Sequence, residues 1–483
     1  MKSGHYIFIV FILLNLFFTF SFNCSNIFVN TSFLLNFASI CIIGFLHLFK
    51  EKQFSPFITS FLIFSYLFFF IAPISQIISL PVKDLLQEKI FFNSFPNTFP
   101  FKAASVIKLN VIITIWNLLF YIFYLYFKKK YFKTILEWNV STNTKGIFPM
   151  AIIVVLFLSF VIIMSHYDFI IHKTFFQDFG GEELSTSKFL ILTKTLFSVP
   201  FIGLIMAITY LRNAKIISAN TLIIFSSFVL LVFLFLFVKN PAMEKRNALG
   251  PIFITLLLFS IPKFFRTNKR FFSFLFLSMI IVFPLISILT HAKVGISILF
   301  KNPKIYFQSF EKTDFLLEFN SLHYDAYANV LATMEYVANN GIVYGTHFFS
   351  GLFFFIPRSI WVSKPDNTGQ FIGQYLMDNY HMWFDNISNP FLSEGIINFG
   401  LLSIVIFPIL LAWFIVKMLR WQYSNDLFKQ VVAIYFSIHL IFFLRGDFTN
   451  GWAYFIGTAI GIYVIPKIII FVLQKLPKKR VEN

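Results

Sequence analysis

The chain has 483 residues, of which 58% are hydrophobic and 12% charged, and its formal net charge is +18. Soluble domains carry roughly 25% charged residues, and 74 phenylalanines cannot be hidden in one water-soluble core of this length. These figures exclude an ordinary soluble enzyme and point to a polytopic membrane protein, in which apolar runs of about 20 residues span the hydrocarbon. The basic residues sit in short clusters between apolar runs, so membrane topology accounts for them and nucleic-acid binding does not.

In chain order the apolar runs fall at 5–22, 27–49, 57–80, 104–127, 147–171, 189–211, 220–239, 250–265, 270–290, 396–419, 427–444 and 452–474. They predict an all-α integral membrane protein of about twelve transmembrane helices. The run at 250–265 is short and contains Pro262. Residues 1–22 lack a small-x-small cleavage site, which favours a retained first helix over a signal peptide. Cys24 and Cys41 suggest neither a disulfide framework nor a metal site.

With the N-terminus in the cytoplasm, the inner segments include KEK (50–52), KKKYFK (128–133), RNAK (212–215), KFFRTNKR (263–270) and the tail KLPKKRVEN. About 21 Lys and Arg then lie inside and about 9 in the short outer connections, which places both termini in the cytoplasm. The outer loop 166–188 is acidic through Asp168, Asp178, Glu182 and Glu183. The organisation expected is an N-terminal bundle of about nine helices over 1–290, a large outer loop over 291–395, and C-terminal helices with a basic tail over 396–483.

The large loop breaks the pattern of short connections, and long loops of this kind are usually functional. Within it, SLHYDAYANVLATMEYVANN (321–340) repeats apolar residues at helical spacing, through Leu322, Ala326, Val330, Met334 and Val337. That pattern predicts an amphipathic helix on the membrane surface. The next segment, GIVYGTHFFSGLFFFIP, is apolar and ends at Pro357, as a re-entrant hairpin would. No internal repeat is seen.

Motifs of soluble enzymes are absent: there is no GxxxxGK, CxxC, HExxH or GxSxG. No metal-ligand cluster or cofactor motif stands out. Chemistry would have to come from residues converging at the outer face. Arg358 and Lys364, in FFFIPRSIWVSKPDNTGQ (353–370), form the first candidate pair. A guanidinium matches phosphate oxygens bidentately and an ammonium adds a point charge. The plainer alternative is two cations snorkelling to lipid headgroups, with Trp361 as an interfacial anchor. Arg445, in HLIFFLRGDFTNGW, either pairs with Asp447 or makes a second phosphate contact.

Glu394, Asp325 and His381 are candidate acid/base groups. For Glu394, in SEGIINFG, the alternative is a first-turn carboxylate stabilised by the helix dipole. For His381, flanked by aromatics in NYHMWFDN, it is packing or hydrogen bonding. The first outer connection, SFNCSN, is uncharged. That argues against lipid-sugar transferases that place an acidic motif there.

These segments carry a resemblance. FIPRSIWVSKPDNTGQ resembles the Pro-Arg-x-x-Trp-x-x-Lys-Pro segment of bacterial O-antigen polymerases, the Wzy-type oligosaccharide repeat unit polymerases. NPFLSEGIINFGLLS resembles their Gly-Glu-x-x-x-Asn-Phe-Gly segment, and FFLRGDF is typical of their last helices. Arg358 and Gly369 fit their Arg-x10-Gly pattern. The chain departs in having Ser393 where a glycine is common, and in lacking a second arginine-bearing outer loop.

The resemblance implies glycosyl transfer at the outer face of the bacterial inner membrane, in lipopolysaccharide, capsule or exopolysaccharide biosynthesis. A growing glycan on undecaprenyl diphosphate would be the donor, and a repeat unit on the same carrier the acceptor. Arg358, Lys364 and Arg445 would bind the diphosphate. Glu394, Asp325 or His381 would take the hydroxyl proton. Trp361, Tyr380 and Trp383 would stack on sugars. Partners would be the lipid-linked oligosaccharide, membrane lipids and a chain-length regulator; no cofactor, metal or nucleic acid is implied. An O-antigen ligase is the nearest alternative, and a polysaccharide flippase or transporter is the alternative from another class.

Overall fold

The structure, a computed structural model, describes residues 3–21, 26–78, 102–134, 136–141, 146–171, 189, 191–214, 218–241, 246–282, 319, 322–382 and 384–476. Among these residues the fold is helical throughout, without strands. In chain order the helices are α1 (Ser3–Ser21), α2 (Ile27–Lys50), α3 (Pro56–Ile77), α4 (Ala103–Tyr131), α5 (Phe148–Ser165) and α6 (Ile191–Asn213). Then follow α7 (Ala219–Val238), α8 (Arg246–Ser260), α9 (Asn268–Leu277), α10 (Ala326–Asn340), α11 (Thr346–Leu352) and α12 (Thr368–Tyr380). Last come α13 (Phe391–Phe399), α14 (Ser403–Gln422), α15 (Leu427–Arg445) and α16 (Phe448–Lys475).

Nine spans among the described residues, counting α13 and α14 as one, are long and apolar enough to cross a membrane. This is the architecture of a multi-pass membrane protein. Two of the expected twelve runs appear as shorter apolar helices, His5–Thr19 and Asn247–Ser260. The run at 270–290 is helical as far as Val282, and its remainder lies outside the described residues. So do the acidic stretch 172–188 and the tail 477–483.

Local chemistry sets the helix ends. The Asn26 side chain accepts the Phe28 N–H at 3.0 Å to start α2, and Pro56 opens α3 where its missing N–H costs nothing. The Asn367 side chain accepts the Gln370 N–H at 2.9 Å to start α12. Gly400, at φ 62°, breaks the expected 396–419 helix into α13 and α14.

The chain forms two compact units that cut across its linear division. One comprises residues 1–135, 271–417 and 440–452; the other comprises 136–270, 418–439 and 453–483. In the first, α2 lies along α4, and α3 is enclosed by protein along its whole apolar window. Its core is aromatic, with Phe57, Phe61, Phe64, Trp116 and Phe120 fully buried. Asn110 donates to Ser32 Oγ at 2.8 Å and Asn117 to Ser39 Oγ at 3.1 Å, fixing the α2–α4 register where apolar packing alone would not. In the second unit α5, α6 and α7 pack together, and Gly203 lets α6 approach Val155 and Leu231 closely.

The helix expected over 321–340 is present as α10, but its first half is enclosed by protein and only the residues from Met334 onward reach the surface. Its first eight residues, Ala326 to Thr333, are buried on every face, against α3, α4, α12 and α13. The apolar spacing was only half the reason. Tyr327, Asn329 and Thr333, polar on paper, find partners: the Tyr327 hydroxyl reaches Asn110 Oδ1 at 3.2 Å, and Thr333 Oγ1 reaches Asn389 Oδ1 at 3.2 Å. The 341–357 segment is the short helix α11 followed by turns.

Candidate functional site

All described candidate residues fall in the first unit. The loop from Phe353 to Asp366 is held by its own cation. Lys364 Nζ donates to the carbonyls of Phe353, Phe354 and Ile356, at 3.2, 2.9 and 2.9 Å. Those bonds use all three ammonium protons. Lys364 is therefore a brace, a different use from the direct phosphate contact its sequence position suggested. Partial burial first, and the charge of Arg358 second, hold its pKa below the usual lysine range.

The loop's far end is pinned to α11. Ser350 Oγ donates to the Pro365 carbonyl at 3.1 Å, and His347 Nδ1 lies 2.7 Å from the Asp366 carbonyl. A carbonyl only accepts, so Nδ1 carries the proton; burial keeps the ring's pKa low and the imidazole neutral.

On this braced loop Arg358 is held outward. Its side chain is 60% exposed and forms an ion pair with Asp366, which is 53% exposed. Around it stand exposed apolar side chains: Phe355, Ile360 at 76% and Val362 at 83%. Trp361 is half-buried. Arg358 thus combines an accessible guanidinium with an apolar rim.

Glu394, in the first turn of α13, is fully buried. Its Oε2 accepts the Thr368 hydroxyl at 2.5 Å and its Oε1 the Asn398 amide at 3.2 Å, and the Phe448 backbone N–H also donates to it. The Glu-x-x-x-Asn spacing is therefore one helical turn, with Asn398 holding the carboxylate and its Oδ1 accepting the Phe348 N–H at 3.1 Å. The last carbonyls of α13 are capped by the loop before α11: Val343 N–H reaches Ile397 O at 2.9 Å and Gly345 N–H reaches Asn398 O at 3.1 Å. One carboxylate thus ties α12, α13 and the start of α16 together.

Asp325 and Arg445, expected in different roles, are brought into one ion pair at 3.2 Å, with side-chain exposures of 3% and 20%. Asp447 accepts the Asn450 N–H and side-chain amide at 2.8 Å each to start α16. Burial first raises the Asp325 carboxyl; Arg445, Asn329 and the Ser388 backbone pull it back, and the net direction is upward. The turn 445–448 joins this pair to the Glu394 brace through Phe448.

The remaining candidates lie along α10 and α12. Tyr380 donates to Glu335, as Tyr375 does at 2.9 Å. His381 is exposed and ends α12 at φ 55°, a left-handed conformation that histidine tolerates better than most residues. Trp383 lies outside the described residues. Gly369, the glycine of the Arg-x10-Gly spacing, serves packing. A Cβ there would stand 2.3 Å from the Ile387 carbonyl oxygen, and one on Gly373 would stand 1.8 Å from that of Asp385. Four residues apart on α12, the two glycines let the 385–387 strand of loop press against the helix.

One cluster escaped sequence reading. Glu51, the acid of KEK, accepts from His47 Nδ1 at 2.5 Å, from the Tyr124 hydroxyl at 2.8 Å and from Lys128. His47 Nε2 reaches Thr59 Oγ1 at 3.0 Å. The i, i+4 spacing of His47 and Glu51 was the available signal, but His47 lies inside the apolar run and Glu51 in the basic segment that follows it. Among the described residues no group of three or more His, Cys, Asp and Glu gathers to hold a metal. Comparison with known protein families, with curated proteins and with solved structures finds no match to this chain.

Proposed function

We propose that this chain polymerises oligosaccharide repeat units, O-antigen or capsule and exopolysaccharide units, linked to undecaprenyl diphosphate at the outer face of the bacterial inner membrane. The observation that carries the reading is Arg358, an exposed guanidinium on a braced loop, rimmed by exposed apolar side chains. A ligand with a diphosphate head and an isoprenoid tail matches both features at once.

In the reaction an acceptor sugar hydroxyl attacks the anomeric carbon of the donor glycan. A new carbon–oxygen bond forms, the anomeric carbon–phosphate oxygen bond breaks, and its electron pair leaves on the diphosphate. Arg358 stabilises that developing charge, with Lys364 adding field from behind the loop. The hydroxyl proton needs an acceptor. We carry Glu394, Asp325 and His381 as the candidates: Glu394 and Asp325 also hold the loop and the 445–448 turn with their oxygens, whereas His381 is reached by solvent at the opposite end of α12 from the Arg358 loop. Trp361 and Tyr380 are the stacking candidates for the sugar.

An exposed histidine at the C-terminal end of α12 also favours the ligase alternative, in which the glycan goes to a lipid A core. A gel of surface glycan separates the readings. Cells carrying Arg358→Ala, like cells deleted for the gene, are expected to show one repeat unit where the wild type shows a ladder. A ladder that persists but never reaches the surface acceptor would favour the ligase or a transporter. A normal surface ladder in both strains would sink the proposal.

A further inference from the structure

We infer that Asp366 is a built-in counter-ion that occupies Arg358 until the substrate's diphosphate displaces it, setting how tightly the loop holds that head group and how readily it lets it go. The inference rests on the diphosphate reading of Arg358. Three observations carry it. The backbone of Asp366 is fixed by the His347 contact to its own carbonyl, the Ser350 bond to Pro365 and the Asn367 cap of α12. The Asp366 carboxylate, by contrast, is half-exposed and faces Arg358. Finally, the guanidinium is itself mostly exposed, so the pair stands at the surface of the loop rather than in its packing.

An exposed ion pair is weak, because water and salt screen it and two side chains must be ordered to make it. A diphosphate carries more charge and meets the guanidinium with two oxygens at once, so it outcompetes a single carboxylate. Asp366 therefore does not block the site. It lowers net affinity for any diphosphate head group, and after bond cleavage it gives the arginine a partner to return to as undecaprenyl diphosphate departs. Tight capture alone would slow that departure and limit turnover.

The test uses the full chain in detergent micelles, titrated with farnesyl diphosphate and separately with inorganic pyrophosphate. Asp366→Asn is expected to tighten farnesyl diphosphate binding about two- to fivefold, the scale of an exposed ion pair. Asp366→Glu should restore wild-type affinity, and Asp366→Ala should behave as the asparagine variant does. Pyrophosphate should show the same order if the head group is what is read; an effect confined to farnesyl diphosphate would mean that the apolar rim changed and would overturn the counter-ion role. In an Arg358→Ala background the Asp366→Asn gain should vanish, which a merely structural aspartate would not do.

Unchanged or weaker binding in Asp366→Asn and Asp366→Ala, with Arg358→Ala still losing affinity, would overturn this inference and leave the diphosphate reading standing. Wild-type affinity in Arg358→Ala would remove both.

Discussion

Two buried carboxylates anchor the first unit, and they are held in opposite ways. Glu51 is met by the Lys128 ammonium, with His47 and the Tyr124 hydroxyl also converging on it where α2 ends. Glu394 is met by neutral donors: the Thr368 hydroxyl, the Asn398 amide and the Phe448 N–H. Both bury a carboxyl, yet only the first has an ammonium beside it. Removing the acid from the first site strands the Lys128 ammonium, whereas removing it from the second strands neutral groups that can find other partners. Charge compensation therefore makes the Glu51 site the more rigid and the less tolerant of the two.

The largest effect follows directly. Glu51→Ala leaves Lys128 and His47 beside an apolar hole and is expected to cost about 3–5 kcal/mol, as breaking a buried pair from one side does. The measure is thermal unfolding of the detergent-purified protein, with yield from membranes as a second reading. Loss within the range of an average surface substitution would show that the cluster is not the anchor its geometry implies.

Glu394→Ala should cost less, about 2 kcal/mol, because unpaired neutral donors cost roughly 1–3 kcal/mol each and some re-pair. Asn398 already has a second acceptor in the Glu394 backbone carbonyl at 2.8 Å, so it loses only part of its bonding. Glu394→Gln keeps an oxygen for Thr368 and should fall between alanine and wild type. If Glu394 positions the loop, the glutamine variant retains a glycan ladder of reduced length. A glutamine variant with wild-type melting but no ladder at any pH would instead give the proton-acceptor role to Glu394.

These two sites also mark what the sequence could and could not disclose. Hydropathy revealed the helical membrane class because a spanning helix must carry its apolar residues in one run. It could not say that α3 is enclosed by protein while most of α7 is not: their mean hydropathies are 2.2 and 2.9, with 100% and 28% of the windows buried. Lipid and protein interior are alike to a side chain. Glu394 stood out because a lone acid precedes an apolar run, and Asn398 was visible in the same motif. Thr368, 26 residues earlier, was not, since nothing local marks a partner that only folding brings near. The same holds for Asp325 and Arg445, which are 120 residues apart.

Acid titration separates two buried carboxyls that each have a cation beside them, Glu51 and Asp325. Burial alone would raise the Glu51 carboxyl, but His47 and Lys128 hold it below its usual range. A depressed folded value means that its stabilisation is complete above the unfolded pKa of about 4.3 and is lost as pH falls through the lower folded value. Asp325 runs the other way. Burial outweighs Arg445 and keeps its carboxyl high, so its favourable contribution belongs to the protonated form. That contribution is present below about 3.9 and lost as pH rises through the folded value. Melting curves of Glu51→Gln and Asp325→Asn against wild type should therefore diverge with acid. The gap from wild type narrows for Glu51→Gln, whereas wild type gains on Asp325→Asn. Parallel gaps would mean that the two sites titrate alike and that burial does not outweigh Arg445 at Asp325.

The smallest stability change should come from Arg358→Ala, at most about 0.5 kcal/mol, because an exposed ion pair on a loop braced by other groups contributes little to folding. Lys364 and His347 hold the backbone there whether or not Arg358 is present. A matching Lys364→Met change should melt earlier than Arg358→Ala, since three carbonyls lose their donor at once. If the two variants melt alike, the division between a bracing lysine and a presented arginine fails. If they separate as expected while both lose the glycan ladder, Lys364 acts by shaping the loop and Arg358 by what it meets outside it.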